Sequence, residues 1–167
     1  MNIIIRPETG ADHDAIEALT MAAFLNAPHT DHKEQRIVRD LRQAGALSLS
    51  LVAELEGRVV GHLCFSPVTI SDGSEDWYGL GPISVSPALH GKGLGSRLMD
   101  AGLAQLEGMG AAGCVVLGDP GFYCRFGFVS EPGLTLPGVP AEYFMARSFG
   151  AAMPRGEVCY HPAFVQA

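Results

Sequence analysis

Three glycines at alternate positions, Gly91, Gly93 and Gly95, stand between an apolar segment and an amphipathic one. Glycine accepts a positive φ and lets the main chain come close to a ligand, so successive amides can point into one hollow. The helix predicted to follow leaves its first amides without intrahelical partners and presents the positive end of its dipole. Residues 90–96, which we call the anion cradle, therefore predict a site for a phosphate or pyrophosphate.

Two basic side chains, Lys92 and Arg97, add positive charge to this segment. The glycine spacing fits neither of the two commonest nucleotide loops, Gly-x-x-x-x-Gly-Lys-Ser/Thr and Gly-x-Gly-x-x-Gly. A purely structural turn between a strand and a helix is the alternative, and the glycines alone do not decide between the two.

Chain length and composition indicate one globular domain over residues 1–167. Hydrophobic residues make up 47% and charged residues 17% of the sequence, and the net charge is -7. This charge argues against a nucleic-acid-binding protein, which needs a basic face; it would suit a cationic substrate, although it mainly favours solubility. No apolar run is long enough to cross a bilayer, so we expect a cytoplasmic protein without a membrane partner.

Cysteine and histidine spacing gives no strong metal or disulfide signal. We expect reduced core cysteines, since no Cys-x-x-Cys pair occurs among Cys64, Cys114, Cys124 and Cys159. His29 and His32 have a spacing that suits a metal ion, but no third ligand lies nearby. A solvated helix start is therefore expected there, and no metal.

Hydrophobic periodicity predicts a strand, two helices and a meander in the first half of the chain. The β-branched run Ile3–Ile5 predicts the strand. Apolar residues at helical spacing predict one helix over about residues 10–25 and a second that ends at Gly45. The meander has antiparallel strands at residues 48–55, 58–65 and 78–85.

The third strand of the meander contains an unusual segment, Gly79-Leu80-Gly81-Pro82. Proline cannot donate to a strand ladder and glycine weakens a strand interior, so this segment predicts a β-bulge. The bulge would leave main-chain groups of Ile83 and Val85 free to pair with an extended ligand; an irregular edge strand is the alternative. Residues 68–70 are expected to prolong the second strand.

The second half of the chain predicts a βαβ unit and a closing tail. Apolar positions over residues 96–107 predict a helix that packs on the sheet. The apolar run at residues 114–117 predicts a strand buried on both faces and parallel to the strand before the helix. Residues 122–128 should form one helical turn and a new strand, and the tail should complete the sheet with strands near residues 141–147 and 156–160.

This pattern resembles the GNAT superfamily of acyl-CoA-dependent N-acyltransferases. The resemblance rests on Val85-x-Pro87-x-x-His90-Gly91-x-Gly93-x-Gly95 before a crossover helix and on Tyr123-x-x-x-Gly127-Phe128 after a buried strand. The order of elements from Ile3 to Phe128 agrees, and residues 118–128 are similar to the YhbS-like branch. The resemblance implies a mixed α/β GNAT-like fold with splayed parallel strands. It also implies acetyl-CoA as co-substrate and a primary amine of a small molecule or peptide as acceptor.

The resemblance also implies which residues hold acetyl-CoA. Main-chain groups of Ile83, Ser84 and Val85 would pair with the pantetheine arm. The pyrophosphate would lie in the anion cradle, formed by His90, Gly91, Lys92, Gly93, Leu94, Gly95 and Ser96. Tyr123 would lie at the sulfur as general acid. A shortened fourth helix is expected, because Val116 stands where the family usually has asparagine.

Acyl transfer to an amine requires a neutral nucleophile, whereas an amine of pKa near ~10.4 is almost wholly protonated at pH 7. A base or desolvation must then supply roughly 4 to 5 kcal/mol. The candidate bases are His62, Glu75 and its neighbour Asp76. Strand alternation puts Val60, His62 and Cys64 on one face, so His62 is a candidate for the substrate cleft; a hydrogen-bonded structural histidine is the alternative.

Direct transfer between two bound substrates, without a protein nucleophile, is the main hypothesis. A non-catalytic acyl-CoA-binding sensor or scaffold is the second hypothesis, since a fold and a cofactor site do not guarantee catalysis. A nucleotide-phosphate binder is the third. The acceptor would be contacted by the loop at residues 72–76, by residues 26–34 and by the C-terminal tail, and none of these segments has a readable signature. The oligomeric state, with a homodimer as one option, has none either.

Overall fold

A mixed six-stranded sheet runs through the computed structural model, which describes residues 2–27 and 30–166. The strands are β1 Ile3–Pro7, β2 Leu49–Leu55, β3 Arg58–Pro67, β4 Thr69–Ile70, β5 Trp77–Val85, β6 Gly113–Leu117, β7 Leu134–Thr135, β8 Phe144–Ser148 and β9 Gly156–Cys159. The helices are α1 His13–Phe24, α2 Glu34–Gln43, α3 Leu94–Gly108, α4 Pro120–Tyr123 and α5 Ala163–Gln166. The large sheet has the order β1-β2-β3-β5-β6-β8, and a small one has the order β4-β9-β7.

The helices cover both faces of the large sheet, as their apolar stripes require. Leu98 and Leu103 of α3 pack with Leu63 and Phe65 of β3 in the main core. Ile16 of α1, together with residues of α2, β2 and β3, forms a separate cluster on the other face. The predicted GNAT-like arrangement of meander and βαβ unit is confirmed.

β5 separates from its parallel neighbour after three residue pairs. It pairs with β6 only from Trp77 to Gly79, opposite Gly113 to Val115. It stays paired with β3 as far as Val85, with a register shift between Leu63 and Phe65. The predicted bulge is thereby confirmed, and it leaves one edge of β5 open beyond Gly79.

Residues 68–70 do not prolong the second strand of the meander, so that prediction is wrong. Thr69 and Ile70 instead pair with Cys159 and Val158 in the small sheet. Val68, Ile70 and Val158 are buried together in a second core cluster, which explains why the chain leaves the large sheet after Pro67.

The segment at residues 122–128 forms the predicted helical turn but not the predicted strand. The short helix α4 continues into a 3-10 turn at Cys124–Phe126, and the only strand-like pairing that follows in residues 124–132 is a single bridge between Val129 and Ala146. The two tail strands are present as β8 and β9, but only β8 completes the large sheet, since β9 pairs with β4 and β7 in the small one. β8 closes the large sheet against β6 in antiparallel register.

The four cysteines are free, and two of them do not lie in the core. Cys64 and Cys114 are buried as expected, whereas Cys124 and Cys159 are exposed. Within the described part of the chain, none of the helices has the length and apolar content that a bilayer crossing would need.

Candidate functional site

The anion cradle has the predicted positive φ at two of its three glycines. Gly91 and Gly93 have φ of +77° and +80°, a conformation that residues with a Cβ rarely adopt. α3 begins directly after Gly93, and its first helical hydrogen bond runs from the Arg97 amide to the Gly93 carbonyl at 3.1 Å. The amides of Leu94, Gly95 and Ser96 are therefore left without helical partners and with the positive end of a 15-residue helix behind them.

The backbone conformation at position 95 does not require a glycine. Its φ is not positive, and an added Cβ would lie 3.7 Å from Cζ of Phe122 and 3.9 Å from Cγ2 of Val85, which are ordinary contacts. The protein thus has room for a methyl group here. A molecule lying against these amides would compete with that methyl group for the same space.

A side-chain hydrogen bond of His90 connects the anion cradle to the end of β5. Its Nε2 lies 2.9 Å from the carbonyl oxygen of Val85, and because a carbonyl only accepts, Nε2 carries the proton. The exposed imidazole thereby holds the cradle against the strand that precedes it.

The open edge of β5 presents main-chain groups to the cavity beside it. The Ser86 amide donates to the Val60 carbonyl at 2.9 Å, so Ser86 points toward β3. Main-chain groups alternate in direction along a strand, so Ser84 also points toward β3 while Ile83 and Val85 point to the open edge. The edge can therefore pair with an extended ligand as an additional strand would.

A cavity of about 660 Å³, which we call the cradle cavity, joins these features. Its lining includes Ile83, Val85, Leu89, His90, Gly91, Gly93, Leu94, Gly95, Ser96, Asp119, Phe122 and Tyr123. Two residues predicted to contact the cofactor do not line it. Lys92 is exposed, and the Ser84 side chain is buried with no hydrogen-bond partner for its hydroxyl among the described residues.

Tyr123 is held at the wall of the cradle cavity by its aromatic neighbours. Phe122 packs edge-on with a centroid distance of 5.0 Å, and Phe128 with one of 6.0 Å. Asp119 caps α4 by accepting from the Gly121 amide at 2.9 Å, which fixes the turn that carries the tyrosine. Burial raises the pKa of Tyr123 to about 12, so its phenol is a hydrogen-bond donor at neutral pH.

His62 is fully buried and lies outside the cradle cavity and outside a second cavity that adjoins it, so its position fits the alternative of a hydrogen-bonded structural histidine. Ala53 pairs with Gly61 but Glu54 pairs with Val59, which makes Val60 the extra residue of a bulge. Val60 consequently packs in the main core, whereas Cys64 packs with α1 and α2. The regular alternation that put Val60, His62 and Cys64 on one face is broken.

His62 instead belongs to a buried hydrogen-bond network. Its Nε2 lies 2.8 Å from Oγ of Ser50, which in turn donates to Glu8, and Arg42 binds the same carboxylate with two contacts of 3.0 Å. Because the Ser50 proton goes to Glu8, the Nε2–H of His62 donates to Ser50. Burial lowers the pKa of His62 to about 4 despite the attraction of Glu8, so the geometry fits a structural histidine.

The other candidate bases lie outside both cavities. Glu75 and Asp76 are exposed in the loop before β5. The Asp76 carbonyl accepts from the Ala112 amide at 2.8 Å, so this loop is tied to the strand β6 at its base.

A second cavity of about 760 Å³ adjoins the first, and we call it the tail cavity. The two share Phe24, and along β5 the lining passes from Leu80–Pro82 in the tail cavity to Ile83 and Val85 in the cradle cavity. The polar lining of the tail cavity includes Thr69, Ser71, Glu34, Glu157, Cys159 and Tyr160. Residues 26–34 and the C-terminal tail, which were expected to contact the acceptor, contribute Glu34 and Glu157–Tyr160 to this cavity, whereas residues 72–76 do not line it.

No metal centre is present in the part of the chain that the structure describes. Residues 2–27 and 30–166 contain no group of three or more histidine, cysteine, aspartate or glutamate side chains placed to bind a metal ion. The suggested pair His29 and His32 cannot be assessed, since His29 lies outside the described residues.

The sequence matches the Acetyltransferase (GNAT) family over residues 14–128, well over half of the chain. The protein therefore belongs to the GNAT acetyltransferase family. This range contains the anion cradle, the open edge of β5 and Tyr123. The predictions of family, fold and enzyme class, an acyl-CoA-dependent N-acyltransferase, are confirmed.

Two bacterial proteins are particularly similar. The chain is 39% identical over 127 residues to the uncharacterized N-acetyltransferase YhbS of Escherichia coli, covering 75% of this chain and 73% of the relative. A crystal structure of that YhbS with CoA matches with a TM-score of 0.87 and 34% identity over 99% of this chain and 93% of the other.

A GNAT family acetyltransferase from Brucella melitensis, crystallised with acetyl-CoA, matches with a TM-score of 0.88 and 48% identity over 98% of both chains. The prediction of acetyl-CoA as co-substrate agrees with these two complexes.

Proposed function

We propose that the protein transfers an acetyl group from acetyl-CoA to a primary amine of its acceptor, by direct attack and without an acyl-enzyme. The observation that carries the proposal is the convergence of three features on one cavity: the unpartnered amides of the anion cradle, the open edge of β5, and the phenol of Tyr123. Each feature suits a different part of the same elongated molecule.

The donor would be held mainly by main-chain groups. The amides of Leu94, Gly95 and Ser96 at the start of α3 suit a pyrophosphate, which needs hydrogen-bond donors and positive potential. The outward main-chain groups of Ile83 and Val85 suit the amides of a pantetheine arm. Ser84 would contribute to donor binding through the main chain of β5. Lys92 would contribute positive charge at the edge of the cradle cavity. The roles of the individual residues are proposals that rest on this geometry.

Acetyl transfer from a thioester requires few catalytic groups of the protein. The nitrogen lone pair attacks the thioester carbonyl, a C–N bond forms, the C–S bond breaks, and the amine loses a proton while the sulfur gains one. A thiol of pKa about 8.5 is a good leaving group, so the main gain comes from holding the two reactants together. In this proposal Tyr123 donates a hydrogen bond to the departing sulfur.

Complete proton transfer from Tyr123 to the sulfur would be unfavourable. With the pKa of Tyr123 raised to about 12, the transfer is uphill by about 5 kcal/mol relative to a thiol. We therefore assign Tyr123 stabilisation of the developing negative charge, with the final proton coming from solvent or the amine. Glu75 remains a predicted general base. For His62, which lines neither cavity, we propose instead that desolvation in the tail cavity favours the neutral form of the acceptor amine.

Calorimetry with acetyl-CoA, followed by a thiol-release assay over primary amines, tests the proposal. Binding of acetyl-CoA in the micromolar range together with release for at least one amine supports it. Binding without release for any amine, peptide or aminoglycoside would favour the sensor hypothesis instead. ATP or NAD bound as tightly as acetyl-CoA would favour the nucleotide-binder hypothesis. Residence in the cytoplasm and assembly as a homodimer remain predictions.

A further inference from the structure

We infer that the tail cavity binds the acceptor and that the acceptor is a diamine: one nitrogen is acetylated, while Glu34 holds a second, cationic nitrogen. The inference rests on the proposed function and adds the chemical class of the acceptor. The position of the cavity is the first argument. It adjoins the cradle cavity along β5 and shares Phe24 with it, so an acceptor there would reach a thioester at the junction.

The charges that line the tail cavity are of one sign. Glu34 and Glu157 are its charged residues, and its described lining contains no lysine, arginine or histidine. Glu157 is exposed at the rim, whereas Glu34 is half-buried at the first turn of α2. A cationic ligand is therefore favoured over a neutral or anionic one.

One carboxylate oxygen of Glu34 is hydrogen-bonded, and the other has no partner among the described residues. Oε2 accepts from the hydroxyl of Thr30 at 2.6 Å. Oε1 is inaccessible to solvent and has no hydrogen-bond partner among the described residues. Leaving a buried carboxylate oxygen unpaired is costly, so this atom is suited to an ammonium group of a ligand.

Tyr160 supplies a second unpartnered polar atom in the lining of the tail cavity. Its hydroxyl is inaccessible to solvent and has no partner among the described residues. Its Cζ lies 3.3 Å from the place that a Cβ on Gly79 would take, and Gly79 is the last residue of β5 paired with β6. The Tyr160 ring thus lies where the strands part.

The two nitrogens of the diamine need different surroundings. The reacting nitrogen must be neutral, and a carboxylate beside it would stabilise the ammonium form. Glu34 is therefore suited to the nitrogen that does not react, and the Tyr160 hydroxyl to the one that does. Between them the lining is largely apolar, including Ile37, Ile70, Leu80, Pro82, Leu117 and Val158. A short methylene chain fits this lining.

Thiol-release kinetics with acetyl-CoA test the inference. The acceptors are 1,3-diaminopropane to 1,6-diaminohexane and the monoamine of each chain length, assayed with wild type, Glu34→Gln and the control Glu107→Gln, which changes an exposed carboxylate on α3. We expect kcat/KM for the best diamine to exceed that of its monoamine by about tenfold or more, as for a desolvated charge pair. In Glu34→Gln this ratio should fall to near one, with KM for acetyl-CoA unchanged, while Glu107→Gln keeps it.

Equal use of diamine and monoamine by wild type, or a ratio that Glu34→Gln leaves intact, would overturn the inference. Calorimetry of the same diamines with the protein saturated with CoA separates it from the proposed function. Diamine binding that Glu34→Gln abolishes, without any thiol release, would uphold the diamine site and refute transfer. Absence of diamine binding would refute the diamine site even if other amines are acetylated.

Discussion

Gly102 of α3 lies so close to Leu63 of β3 that an added Cβ would be 2.7 Å from Cδ2 of Leu63. It would also be 3.0 Å from a ring carbon of Phe65, and both side chains are fully buried. The helix that begins at the anion cradle therefore approaches the sheet so closely that any larger residue at position 102 would force its neighbours to shift.

Gly102→Ala should destabilise the protein by about 1 to 3 kcal/mol, because the core must shift to admit the methyl group. Gly108→Ala in the same helix is the matched control, since an added Cβ there meets nothing within 4 Å and the φ is not positive. The control should be neutral or more stable by up to about 1 kcal/mol. Urea unfolding of the two variants measures the contrast, and equal stability would contradict the close approach.

Gly95→Ala should weaken acetyl-CoA binding by about tenfold or more and leave stability unchanged. The reason is that its Cβ meets only ordinary contacts in the protein but would occupy space needed by a ligand at the helix start. Gly93→Ala, at a φ of +80°, should by contrast lose about 1 kcal/mol of stability through backbone strain. Calorimetry and thermal unfolding of both variants make the test, and unaltered coenzyme affinity in Gly95→Ala would mean that the ligand lies elsewhere.

Tyr123→Phe should lower kcat by about tenfold or somewhat more, with little change in the affinity for acetyl-CoA. The ring packing with Phe122 and Phe128 is kept, so the variant removes the hydroxyl alone. Tyr143→Phe serves as control, since Tyr143 is exposed and lines neither cavity. An unchanged kcat in Tyr123→Phe would remove Tyr123 from the reaction.

The buried His62 makes stability fall on acidification. Its folded-state pKa of about 4 lies below the ordinary value of 6.5, so the unfolded chain binds the proton more tightly. Stability is complete above pH 6.5 and decreases as the pH falls toward 4, by about 2 kcal/mol between pH 7 and pH 5. Denaturant titrations over this range check the slope, and His62→Gln should flatten it; a slope that survives the substitution would assign the effect to another group.

The sequence was most informative where local residues decide the structure. Gly91, Gly93 and the apolar stripe of α3 specify a turn and a helix whatever the rest of the chain does, so the anion cradle and the βαβ unit were predictable. The break in β5 was also predictable, because Pro82 cannot donate within a ladder.

Prediction from the sequence failed where contacts between distant segments determine the structure. Thr69 leaves the meander because its strand partner, Cys159, lies in the tail, and no local pattern records that pairing. Val60 was wrongly placed on the face of His62 and Cys64, because a bulge at Val60 breaks the two-residue period of β3. The segments that carry Glu34 and Tyr160 were expected to contact the acceptor, but the two residues were not singled out because only the folded chain brings them to one cavity.

The two cavities draw on different parts of the chain. Every cavity-lining residue beyond the range shared with the family, which ends at residue 128, belongs to the tail cavity, and none belongs to the cradle cavity. If the tail cavity binds the acceptor as inferred, exchanging the last forty or so residues between relatives would alter which amine is acetylated and leave acetyl-CoA binding unchanged. Selectivity and donor recognition can therefore diverge independently in this enzyme.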